Sequence, residues 1–95
     1  MSAAPGDDPG DKSLIEYPSA FPIKVMGLQA DGFVPAVVAI ARQFDAGFDA
    51  ETLQLRPSSA GKYLGITLTV TATSRAQLDE LYRALSAHPM VKVVL

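Results

Sequence analysis

KYLGITLTVTA, residues 62–72, alternates without interruption: Leu64, Ile66, Leu68 and Val70 fall on one side, and Tyr63, Gly65, Thr67, Thr69 and Thr71 on the other. Successive side chains of a β-strand point to opposite faces, so this run is a strand with one buried and one open face. A shorter alternation, TLQLR (52–56), precedes it, with Leu53 and Leu55 inward and Gln54 and Arg56 outward. Pro57 to Gly61 separate the two runs, which predicts a β-hairpin with a loop of about five residues. The stretch spanning that loop, RPSSAGKY (56–63), has the Gly-Lys pair of a phosphate-binding loop. It lacks the glycine ahead of that pair, the Ser or Thr after the lysine, and the helix that follows in a true one. It is a turn in which Ser58 and Ser59 bond local backbone and Gly61 permits positive φ.

Working outward, FPIKVMGL predicts a first strand over about Pro22 to Leu28, since proline suits the entry of a strand and not its paired interior. Ile23 and Val25 face one side, Lys24 and Met26 the other. DGFVPAVVAIARQF (31–44) reads as a helix capped by Asp31. Phe33, Val37, Ile40 and Phe44 form its apolar stripe, with Val34, Ala41 and Phe48 widening it, and Gly47 is its expected stop. SRAQLDELYRAL (74–85) is a second helix, with Ser74 and Gln77 as a capping box and Leu78, Leu81, Tyr82 and Leu85 as its stripe. Pro89 ends it. MVKVVL (90–95) supplies a last strand with Val91 and Val93 inward.

Strand, helix, strand, strand, helix, strand, each with one apolar face, predicts an α+β fold. It is a ferredoxin-like βαββαβ two-layer sandwich: a four-stranded antiparallel sheet with two helices on one face and the first and third strands in the middle. Residues 14–95 form this single domain. Residues 1–13, MSAAPGDDPGDKS, are expected to be a disordered acidic tail, because they hold no large apolar residue after Met1 to offset the entropy of ordering.

Composition narrows the function classes. The net charge is −2, which argues against sequence-independent nucleic-acid binding. With no cysteine, disulfides, thiolate metal sites and cysteine nucleophiles are excluded. No apolar run approaches the ~20 residues of a membrane span, and a cytoplasmic location is the expectation.

FPIKVMG (21–27), LQLRPSSAGKYLGITLTVTATS (53–74) and QLDELYRALSAHPMVKVVL (77–95) together resemble the YbeD-like family of small uncharacterised bacterial proteins, over about Leu14 to Leu95. That resemblance implies a fold similar to ACT domains, modules that bind amino acids at subunit interfaces. ACT domains place a Pro-Gly pair where the first strand meets the first helix. Here Gly32 is kept and Asp31 stands in the proline's place, so the corresponding ligand loop would be Gly27, Asp31 and Gly32. The resemblance implies no catalytic residue and no cofactor.

The residues themselves support no enzyme. His88, the only histidine, sits at the end of the second helix, where a cation favours the helix C-terminus. Asp45, Asp49 and Glu51 lack the ordered oxygens and central glycine of a calcium loop and read as a solvated acidic turn, leaving no metal site. The outward face of the sheet is mild, with threonines, Met26 and Val94. Lys24, Arg56, Lys62, Tyr63 and Lys92 are the candidate contacts for an anion or a partner. The expected role is a regulatory or interaction module that binds a small ligand or a protein, or pairs as a homodimer. The alternative is weak single-stranded RNA binding on the open face, disfavoured because Tyr63 is its only aromatic.

Overall fold

The computed structural model describes residues 16–95, so the expected acidic tail lies outside the described residues. The elements run β1 (Ser19–Leu28), α1 (Phe33–Phe44), a short 3₁₀ turn (Ala50–Thr52), β2 (Gln54–Pro57), β3 (Tyr63–Ala72), α2 (Arg75–Ala87) and β4 (Val91–Val94). The strands form one antiparallel sheet in the order β2-β3-β1-β4, with β1 and β3 central. This is the ferredoxin-like βαββαβ sandwich. One face of the sheet gives Ile23, Val25, Leu64, Ile66, Leu68 and Val70 to a core completed by Phe33, Val37 and Ala41 of α1 and Leu78, Leu81 and Leu85 of α2. Burying each large apolar side chain contributes about 1.5–3 kcal/mol, and this cluster holds the layers together.

Several elements depart from the expected pattern. β1 begins at Ser19, and Pro22 lies inside it opposite Thr69. Lys24 exchanges backbone hydrogen bonds with Leu95, so even-numbered residues of β1 aim their polar groups toward β4. At Pro22 the pairing with β4 has already ended, and the missing N–H leaves no ladder bond unmade.

Asp31 does not cap α1. Gly32 does, at φ +90°, a left-handed conformation in which the absent Cβ removes the steric cost. Nor does Gly47 stop the helix. Asp45 ends it, with its N–H donating to the Ala41 carbonyl. Its carboxylate accepts from the N–H groups of Gly47 (3.2 Å) and Thr71 (2.9 Å), which ties the helix end to the edge of β3.

Leu55 lies on the helix-side face, opposite buried Ile66, yet is 51% exposed, because β2 is an edge strand that the helices do not cover. In β4 the inward residues are Val91 and Val94, and Val93 faces outward at 45% exposure. A register shift between Met26 and Gly27 is the reason: a bulge reverses the alternation of everything beyond it.

The predicted capping box at Ser74 forms, and its glutamine does more. The Gln77 N–H donates to Ser74 Oγ, its Oε1 accepts from the Thr73 N–H, and its Nε2 donates to the carbonyls of Phe44 (2.8 Å) and Thr71 (3.1 Å). One side-chain amide thereby joins α1, β3 and α2.

Candidate functional site

The face of the sheet turned away from both helices is where the candidate residues meet. Register places Arg56 of β2, Gly65 of β3, Met26 of β1 and Val93 of β4 in one row across it. Gln54, Thr67 and Lys24 form the next row, continued by Leu95 through its backbone bonds to Lys24. Tyr63 stands at the end of β3 opposite Leu28. These side chains line a broad depression of about 720 Å³. Met26, Val93 and Leu95 are 49%, 45% and 72% exposed, an apolar strip with no cover among the described residues.

At the centre of the depression is Gly65. Its φ lies outside the positive region that Gly32 and Gly61 occupy. Among the described residues a Cβ built there would meet only the Arg56 carbonyl oxygen, at an ordinary 3.5 Å. The strand around it is otherwise made of residues that favour strands, so the missing side chain leaves a notch in the sheet surface between Arg56 and Met26.

Three of the five proposed contact residues, Lys24, Arg56 and Tyr63, line the depression. Lys62 lies over the Tyr63 ring, with Nζ 5.7 Å from the centroid, a cation–π approach at the loop end. Lys92 is exposed on edge strand β4, outside the depression. The loop between β2 and β3 is pinned by Ser58, whose N–H donates to the Tyr63 carbonyl (2.8 Å) and whose Oγ accepts the Tyr63 N–H (3.1 Å). That hydroxyl thus sets the position of the Tyr63 ring at the rim.

Gly27, Asp31 and Gly32 do not gather into one site. Gly27 is buried on the helix side, where a Cβ would overlap the Met90 carbonyl oxygen and lie 2.5 Å from Phe33 Cζ. The space beside it is filled by the protein's own phenyl ring. Asp31 and Gly32 are exposed at the start of α1.

The remaining polar groups serve structure. His88 Nδ1 accepts from the Met90 N–H (3.1 Å), a contact that helps fix the turn into β4. Asp49 accepts from the Glu51 N–H, and among the described residues no group of three potential metal ligands converges. No described helix is long and apolar enough to cross a membrane. Burial raises the pKa of the Tyr82 phenol, whose hydroxyl donates to the Leu95 carbonyl (3.3 Å).

Gln54, Gly65, Thr67, Val93 and Leu95 complete the site and were not singled out from sequence. Gly65 carried a readable signal, a glycine inside an otherwise β-branched and aliphatic strand. Val93 carried none, because the bulge that turns it outward has no sequence mark.

The family model described as a protein of unknown function, DUF493, matches residues 12–95. The UPF0250 protein of Leptothrix cholodnii is 64% identical over 89 residues, 94% of this chain and 98% of that protein. The UPF0250 protein of Ralstonia nicotianae is 61% identical over 87 residues, 92% of this chain and 90% of its own. Among solved structures, the solution structure of protein HP0495 from H. pylori superposes with a TM-score of 0.73, covering 95% of this chain and 97% of that one. At 18% identity, this likeness speaks for the fold alone. Matched by the family model over its whole folded region and by close relatives over nearly their full length, the chain belongs to the DUF493 or UPF0250 family of small, YbeD-like bacterial proteins.

Proposed function

We propose that this domain is a non-enzymatic interaction module that docks a protein partner on the open face of its sheet. The observation that carries this reading is the strip of Met26, Val93 and Leu95, three adjacent apolar side chains exposed on the side away from the helices. Grouped apolar exposure beside isolated polar anchors is the composition of a docking surface. A small ligand is less well served. Ligand pockets enclose most of their occupant's surface, and this depression lies open along the sheet face. Single-stranded RNA would need a row of stacking rings, and the face has Tyr63 alone, already under Lys62.

Photo-crosslinking tests this. A photoreactive residue replacing Met26 is expected to give protein adducts in cells of the source bacterium, and one replacing exposed Arg83 on α2 is not. Adducts from both positions equally, or from neither, would refute the docking face.

A further inference from the structure

Gly65 is a glycine that neither its own backbone nor its neighbours require. Its φ is not positive, and a Cβ there would be in ordinary contact with the Arg56 carbonyl oxygen at 3.5 Å. Glycine inside a strand costs roughly 0.5–1 kcal/mol relative to alanine, so the fold is less stable with it than it could be. What glycine leaves is the notch, bounded by Arg56 and Met26 across the sheet and by Tyr63 and Thr67 along β3.

Among the described residues the charged side chains around the notch have one sign: Arg56 and Lys24 line the depression, and no Asp or Glu does. The chain as a whole carries −2, so this is a local segregation against the overall balance. A second copy laid face to face on the first would bring no Asp or Glu side chain from this lining to meet Arg56 and Lys24.

Resting on the docking-face reading above, we infer that the partner presents an acidic, apolar extended segment: one apolar side chain enters the Gly65 notch beside Met26, and carboxylates on either side pair with Arg56 and Lys24. The spacing follows from the sheet. Arg56 and Lys24 lie two strands apart and one residue pair out of step, which is about 10 Å across and about 7 Å along, or about 12 Å in all. The notch falls near the middle of that diagonal. An extended chain advances about 3.3 Å per residue with alternate side chains on one face. Acid, apolar and acid residues at its first, third and fifth positions therefore span the same distance with all three turned toward the sheet.

The test is a display library of random nonapeptides panned on the full chain, followed by titration of a selected synthetic peptide against the isotope-labelled protein. Selected peptides are expected to be enriched in Asp and Glu flanking Leu, Met or Phe and to shift the amides of Lys24, Met26, Gly65 and Thr67. Arg56→Glu and Gly65→Val should each weaken binding at least tenfold, and added salt should weaken it further. Both positions tolerate change sterically, since Arg56 is exposed and a Cβ at 65 meets no clash, and unchanged melting would verify that. Peptides that map to the face but lack acidic residues, or that ignore Arg56→Glu, would overturn the partner's chemistry and leave the docking face standing. Failure to select any peptide that shifts the face would overturn both. Tighter binding of an oligouridine than of any selected peptide, or self-association through the face in ultracentrifugation, would overturn the inference as well.

Discussion

Gly27 and Gly65 lie one residue out of register on the two central strands, on opposite faces of one sheet. Beneath Gly27 the helix layer closes completely. Phe33 and the Met90 carbonyl occupy the volume in which a side chain would grow, and the glycine exists so that they can. At Gly65 an added Cβ would meet, among the described residues, only the Arg56 carbonyl oxygen at 3.5 Å, and the glycine leaves space unfilled. The same residue type thus marks a packing requirement on one face and a vacancy on the other. A glycine carries functional meaning where the structure could hold a larger residue and the sequence does not supply one.

The largest expected effect breaks the covered side. Gly27→Ala forces a methyl against backbone and a buried ring, and Phe33 is fully buried with no room to retreat. Overpacking a well-filled core costs about 1–3 kcal/mol, and this site belongs at the upper end because one of the obstructing atoms is backbone. Urea unfolding should show a loss of about 3 kcal/mol, and a loss below about 0.5 kcal/mol would mean that the helix layer is looser than its packing indicates.

Gly65→Ala is expected to do the reverse. With no clash to relieve, the variant should gain roughly 0.5–1 kcal/mol through the ordinary advantage of alanine over glycine in a strand. If the stability of Gly65→Ala instead fell with that of Gly27→Ala, the two glycines would be equivalent and the notch would have no separate meaning. The two measurements together separate a residue kept for folding from one kept against it.

How far the sequence revealed these roles differs by region. The sandwich was legible because β3, α1 and α2 each repeat one period over ten or more residues, and the Ser74–Gln77 cap was legible because it depends on local spacing. Features set by distant contacts were not. Asp45 displaced Gly47 as the end of α1 because its carboxylate reaches Thr71, 26 residues away. Leu55 alternates like a core residue and is exposed because cover depends on where the helices lie. Val93 and Val94 exchanged faces through a bulge whose cause lies in pairing with β1. Of the candidate site, the basic residues and Tyr63 could be read directly, whereas Val93 and Leu95 needed the register of β4.

The smallest expected effect lies at a side chain that reaches from the helix layer to the end of the apolar strip. Tyr82 sits on α2, and its hydroxyl donates to the carbonyl of Leu95, the residue whose side chain ends the apolar strip. Burial holds its pKa above the ordinary value of 10.0, because the phenolate loses solvation that the neutral phenol does not need. The folded state therefore keeps this proton more tightly than the unfolded chain. Tyr82 favours folding fully below about pH 10, and that contribution is lost as pH rises through the higher value of the folded state. Melting followed from pH 9 to pH 11.5 should fall more steeply for the parent protein than for Tyr82→Phe, which has no proton to lose. Parallel curves would show that the hydroxyl is solvated in both states. At neutral pH the same variant should keep the open face competent, since the backbone bonds between Lys24 and Leu95 already hold that row in register. A drop in peptide binding by Tyr82→Phe would instead mean that the covered layer sets the position of the strip, and that the two faces are not independent.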